Sequence, residues 1–156
     1  MLSTPLWVRK GGPAAVLFSA ALFFVGCDGN PVDAHDDHAE VEGVSLVASG
    51  ATLVSVQEAI VSGTITVAAG SETALIQARW LDHDGDEVHE EDLDAAYTLQ
   101  VTTADEAVAE IEQHASDGRF RFHVAGVSAG STTITVKLMH SGHADFLTPP
   151  IPVIVN

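Results

Sequence analysis

Apolar and polar residues alternate with a period of two along much of the second half of the chain. In residues 120–124 and 134–138 every second residue is apolar, and the residues between them are polar or charged. This alternation is typical of antiparallel strands with one face in the core and the other in water. It predicts that the core receives one side chain from every second position: Phe120, Phe122, Val124, Ile134, Val136 and Leu138.

Turn residues divide the chain after about residue 44 into short runs that are rich in β-branched residues. Such runs, bounded by glycine, serine and aspartate, predict strands. The predicted strands are Val44–Ala48, Thr52–Gln57, Ile60–Val67, Thr73–Leu81, Tyr97–Thr102, Ala107–Glu112, Arg119–Val124, Thr132–Met139 and Ile151–Val155. Many short strands at this spacing predict an all-β fold, an antiparallel β-sandwich.

The first residues have a different pattern. Arg9 and Lys10 precede the apolar run Ala14–Val25, which suits a secretory signal peptide and is shorter than the roughly 20 residues that span a bilayer. The run ends in Phe24-Val25-Gly26-Cys27, which resembles the lipobox of bacterial lipoproteins. The resemblance implies that residues 1–26 are a cleaved signal peptide and that Cys27 carries a diacylglycerol thioether and an acylated (palmitate-type) amino terminus. The alternative is a plain signal peptide followed by a chance cysteine.

Removal of the signal peptide makes the chain strongly acidic. It removes two bases and no acid, which leaves 22 acids against 4 bases and a formal charge of −18. This charge argues against nucleic acid as a partner, because basic patches bind it. Residues 27–43 are polar and acidic and predict a flexible tether, and residues 44–156 predict one domain. Anchored by lipid at Cys27, the protein would be attached to the inner or the outer membrane of a bacterial cell envelope. It would face the periplasm or the cell surface.

A run in residues 124–136 resembles a known family. The sequence VAGVSAGSTTITV matches the "G-V-x-A-G-x-x-x-I-x-V" run that joins the last two strands of bacterial Ig-like domains of the second group, known from intimin and invasin. Residues 67–73, 81–88 and 105–111 resemble three earlier motifs of that family in the right order. The resemblance implies an Ig-like sandwich that serves as a spacer or adhesion module. Residues 141–156 extend beyond the family's usual end and are expected to add a tail.

The segment Asp82–Asp94 concentrates acids, eight of them, together with His83 and His89. Such oxygen density suits Ca²⁺, but Gly85 stands at the fourth position of the run where an EF-hand needs glycine at the sixth. The alternative is a hairpin turn at Asp84-Gly85 followed by a solvated acidic loop.

The chain has eight histidines, all after residue 26, and they include the pairs His35/His38 and His140/His143. Imidazole suits Zn²⁺ and Cu²⁺, so we expect a transition-metal site, with Zn²⁺ or Cu²⁺ ahead of Ca²⁺. Its candidate ligands are His140, His143, Asp145, His83, Asp86, His89, His35 and His38. A turn at Ser141-Gly142 would bring the rings of His140 and His143 together. For His114 and His123 we expect ordinary polar surface positions.

No nucleophile elbow, free catalytic cysteine or phosphate-binding glycine loop is present in the sequence. We therefore expect a protein that is not an enzyme. Two hypotheses remain for its function. One is a lipid-anchored envelope protein that binds a divalent transition metal. The alternative is an Ig-like module that binds an envelope protein or polymer without metal.

Overall fold

The structure is a computed structural model that describes residues 40–156. The predicted signal peptide, Cys27, His35 and His38 lie outside the described residues, so what was predicted for them stays a prediction. Across residues 40–156 no helix is long and apolar enough to cross a membrane.

The all-β prediction is confirmed, because the described residues form twelve strands and a single 3₁₀ turn, Glu90–Asp92. The larger sheet has seven strands: β1 (Gly43–Ala48), β2 (Ala51–Gln57), β3 (Ile60–Gly63), β5 (Ile76–Leu81), β6 (Glu87–Val88), β8 (Ala109–Glu112) and β9 (Arg121–Gly126). The smaller sheet has five: β4 (Ile65–Val67), β7 (Tyr97–Thr103), β10 (Gly130–His140), β11 (His143–Leu147) and β12 (Ile151–Val155). All neighbouring strands are antiparallel except β12 and β4, which are parallel.

The apolar face of each sheet points into one shared core. The predicted register is confirmed, since the six core residues expected from the alternation are all at most 1% exposed. Trp80 of β5 joins the two layers, because its ring makes edge-to-face contacts with Phe120 at 5.6 Å and with Phe146 of the smaller sheet at 6.1 Å. Contacts of this kind fix the two sheets face to face as a sandwich.

Two segments differ from the prediction. The single strand expected over Ile60–Val67 is divided between the two sheets, because the chain turns at Gly63, whose φ is +101° and where a Cβ would collide with the Leu53 carbonyl. Residues 141–156 do not form a tail. They supply β11, which pairs with β10, as well as β12. The strand β11 escaped prediction because its sequence, HADFL, is too polar and short to show alternation.

Candidate metal centre

A two-residue hairpin places two histidine rings side by side. His140 ends β10 and His143 begins β11, and the two residues are paired directly across the ladder. Ser141 and Gly142 between them have φ of +49° and +93°. A hairpin turn with positive φ at both central residues matches the twist of the flanking strands, so it is the favoured short connection. The ring centroids consequently lie 6.0 Å apart.

An irregularity in the ladder aims the third ligand. Met139 pairs with Ala144 and Leu138 pairs with Phe146, so Asp145 is an extra residue in β11, a β-bulge. Bulges redirect side chains that a regular strand would place elsewhere. The Asp145 carboxylate lies between the two rings, with Oδ2 at 3.5 Å from His140 Nδ1 and Oδ1 at 3.5 Å from His143 Nε2. Its side chain is only 5% exposed, so the carboxylate is held close to the hairpin.

These three side chains have a donor set that suits a transition metal. One ligand atom from each of His140, His143 and Asp145 lies within 4.8 Å of the others. Ligands about 2.0–2.2 Å from a tetrahedral Zn²⁺ ion are roughly 3.3–3.6 Å apart, and each ring has one Asp145 oxygen at 3.5 Å, Oδ2 for His140 and Oδ1 for His143. Two nitrogens and one carboxylate oxygen would leave one position of a four-coordinate ion open to water or another ligand.

The ring of His140 is held in place from a third strand. Tyr97 of β7 pairs with His140 across the ladder, and the two rings stack at 4.2 Å with an angle of 9° between their planes. Tyr97 is 2% exposed and belongs to the core. Because the phenol ring is fixed by core packing, it restricts the orientation of the imidazole that lies against it.

A second carboxylate faces the other nitrogen of His140. Asp94 Oδ2 lies 3.7 Å from His140 Nε2, on the side away from Asp145. Arg119 anchors the segment that carries Asp94, because its guanidinium donates hydrogen bonds to the carbonyls of Glu90, Leu93 and Asp94. At this distance, which is longer than a hydrogen bond, the carboxylate adds negative charge beside the outer nitrogen of His140. Asp94 was not among the predicted ligands, because only the pairing of β7 with β10 brings it to the hairpin.

The other predicted ligands in the described part of the chain are not at this hairpin. Among residues 40–156 His140, His143 and Asp145 are the one group of three close enough to share an ion, and His83, Asp86 and His89 are not in it. His83 lies 3.3 Å from Asp84, and both side chains are more than two-thirds exposed. His89 precedes the 3₁₀ turn.

The acidic segment takes the form of a turn and a loop. The Asp82 carboxylate accepts hydrogen bonds from the backbone N–H of Asp84 and of Asp86, both at 2.9 Å. Gly85, with φ of +83°, lies in this turn, which connects β5 to β6. Since the Asp82 carboxylate already accepts hydrogen bonds from the backbone of the turn, this arrangement favours the hairpin-turn interpretation over a Ca²⁺ loop.

The chain matches no protein-family model, and no curated protein is significantly similar to it in sequence. A comparison with solved structures finds similarity over part of the chain to three structures of the S-layer protein SbsC. Domains 4 and 5 are 22% identical with a TM-score of 0.43, over 71% of this chain and 50% of theirs. Domains 5–6 are 26% identical with a TM-score of 0.43, over 61% and 40%. Domains 4–9 are 22% identical with a TM-score of 0.47, over 74% and 14%. The chain thus spans half or less of each of these structures. Because the TM-scores are below 0.5, the fold is described from the strand pairing given above and not from this similarity.

Proposed function

We propose that this protein is a lipid-anchored, non-catalytic β-sandwich protein of the bacterial envelope that binds a divalent transition metal at the His140–His143–Asp145 hairpin. The observation that supports this is the convergence of three ligand atoms within 4.8 Å. The anchor at Cys27 and the envelope location derive from the lipobox resemblance alone.

The donor types favour Zn²⁺ or Cu²⁺ over Ca²⁺. Calcium takes about 6–8 oxygen ligands, whereas this hairpin supplies two imidazoles and a single carboxylate. Imidazole is a good ligand for both Zn²⁺ and Cu²⁺, and Cu²⁺ binds such a site more tightly than Zn²⁺. The carboxylates of Asp94 and Asp145 on the two nitrogens of His140 add negative charge that stabilises a bound cation.

Calorimetric titration of the full chain in detergent with Zn²⁺, and separately with Cu²⁺, tests the proposal. We expect a dissociation constant below about 10 μM and at least tenfold weaker binding, a loss of about 1.4 kcal/mol or more, in a His140→Ala/His143→Ala variant. A His83→Ala/His89→Ala variant is the matched control, because it also removes two histidines but leaves the hairpin intact. Equal affinity in wild type and hairpin variant, or binding no tighter than about 100 μM in all three, would refute the proposal.

The open edge of the larger sheet favours a second candidate, an interaction module without metal. β3 lies at the end of that sheet, and its first residue, Ile60, is 68% exposed. Edge strands with exposed apolar residues are templates for pairing with another chain. If β3 is the functional surface, Ile60→Lys should abolish chemical cross-linking of the anchored protein to its envelope partner, while the hairpin variant cross-links normally. The reverse result would favour the metal site.

A further inference from the structure

We infer that a second divalent-metal site lies beside the loop between β8 and β9, with His123 and Asp117 as its two positioned ligands and His114 as a third ligand that reaches the ion only after its ring rotates. It is independent of the hairpin, since none of its residues belongs to the group His140, His143 and Asp145. As expected from the sequence, His123 lies on the polar face of β9, and its side chain there is only 15% exposed.

The backbone fixes which nitrogen of His123 is available to a ligand. His123 Nδ1 lies 2.9 Å from the carbonyl oxygen of Thr73. A carbonyl can only accept, so Nδ1 carries the proton and donates this hydrogen bond. In the neutral ring Nε2 therefore presents a lone pair, which is the arrangement found in metal-ligating histidines.

That lone pair faces a carboxylate oxygen that is shielded from solvent. Asp117 Oδ2 lies 3.7 Å from His123 Nε2, and within residues 40–156 it accepts no hydrogen bond. The separation exceeds the roughly 2.7–3.2 Å of a hydrogen bond. It suits two ligands that share one ion at an angle slightly wider than tetrahedral, because atoms about 2.0–2.2 Å from Zn²⁺ are roughly 3.3–3.6 Å apart at the tetrahedral angle. Two facing lone pairs repel, so a cation between them stabilises the pair.

The loop holds Asp117 and keeps further ligands close. The backbone N–H of Asp117 donates to the His114 carbonyl at 3.0 Å, and Ser116 donates to the second carboxylate oxygen at 3.2 Å. The His114 ring centre is 5.9 Å from that of His123. Its side chain is 55% exposed and lies 3.7 Å from the Glu112 carboxylate, so ligation by His114 requires its ring to turn from Glu112 toward Nε2 of His123.

The charges around the pair also favour a cation. Glu112 pairs with His123 across the β8–β9 ladder and lies 3.7 Å from the His114 ring. Arg121 packs against Gly118, next to Asp117, and its guanidinium lies 3.6 Å from the Glu90 carboxylate, which offsets its charge. The Asp117 and Glu112 carboxylates each lie 3.7 Å from a histidine, His123 and His114 respectively.

Titration of the full chain with Zn²⁺ in the His140→Ala/His143→Ala background tests this site separately from the hairpin. We expect about one equivalent to remain bound, with binding at least tenfold weaker after a further His123→Ala or Asp117→Asn substitution. His89→Ala in the same background is the control and should leave binding unchanged. No Zn²⁺ binding in the hairpin variant, or equal binding with and without His123 and Asp117, would overturn the inference whatever the hairpin does.

A measurement on the wild-type chain removes the dependence on folding of the variants. In ¹⁵N histidine spectra at pH 8, we expect His123 Nε2 to be unprotonated and its resonance to shift on addition of Zn²⁺. A protonated Nε2 at that pH, unmoved by Zn²⁺, would mean that a proton fills the gap to Asp117 and that no metal site exists there.

Discussion

Replacing Phe122 by alanine tests the register of the sandwich most directly. Phe122 is fully buried and lies on β9, where it pairs with Ile76 of β5. A buried aromatic side chain removes about 150–250 Å² from water, which at about 25 cal/mol per Å² is worth roughly 4–6 kcal/mol. Alanine keeps part of this burial, and relaxation of the cavity is incomplete, so we expect a loss of about 3–5 kcal/mol in the free energy of unfolding.

This loss is large relative to the stability of the domain. Single domains unfold with about 5–15 kcal/mol, and the lone cysteine permits no disulfide within the chain. Trp80, buried against Phe120, is a fluorescent reporter of unfolding in urea. With a slope of about 1–3 kcal/mol per molar urea, the midpoint should fall by roughly 1–5 M. If the alanine variant is unfolded without urea, Phe122→Leu removes fewer atoms and should give a smaller, measurable shift.

Arg121→Ala is the matched control, because Arg121 is the preceding residue and points to the other face. Its guanidinium makes a partly exposed ion pair with Glu90 at 3.6 Å, so we expect a loss below about 1 kcal/mol. The two variants thus remove neighbouring side chains from opposite faces of the same strand. Equal losses, or a loss below about 1 kcal/mol for Phe122→Ala, would refute the placement of β9.

Three further outcomes are expected. Asp94→Asn should weaken Zn²⁺ binding about tenfold in calorimetry, because it removes a negative charge 3.7 Å from His140 Nε2; unchanged affinity would mean that Asp94 does not act on the site. Zn²⁺ affinity should fall on acidification, since protons compete with the metal for the imidazole nitrogens; a flat profile would exclude imidazole ligands. Cys27→Ser should move the protein from the detergent phase to the aqueous phase in Triton X-114 partitioning, and retention in detergent would remove the lipobox interpretation.

The part of the fold that the sequence predicts is the part determined by alternation. One residue of slip would expose Phe122 and bury Arg121, so the pattern leaves a single register. The division of Ile60–Val67 between two sheets was not predicted, because it depends on the close approach of Gly63 to the Leu53 carbonyl. Nothing in the local pattern of residues 60–67 records a contact with another strand.

The candidate site also has a part that the sequence predicts and a part that it does not. The spacing of His140 and His143 around Ser141-Gly142 predicts a turn that joins their rings, and the structure has this turn. The aim of Asp145 depends on a bulge, and the approach of Asp94 depends on a strand far away in sequence. Both arise from pairing, which short-range spacing does not encode. For the same reason the sequence grouped His83 and His89 with a hairpin that they do not join.

The turn at Ser141-Gly142 also confines the three metal ligands to six consecutive residues, 140–145. Closing so short a loop sacrifices little chain entropy, so the ligands stay near one another even when the sandwich opens elsewhere. The orientation of the His140 ring, in contrast, comes from Tyr97, and the negative charge beside that ring comes from Asp94; both reach the hairpin only in the folded sheet. A peptide of residues 138–147 would therefore retain the donors and lose the orientation. The difference between its Zn²⁺ affinity and that of the whole protein would measure how much of metal recognition resides in the tertiary structure.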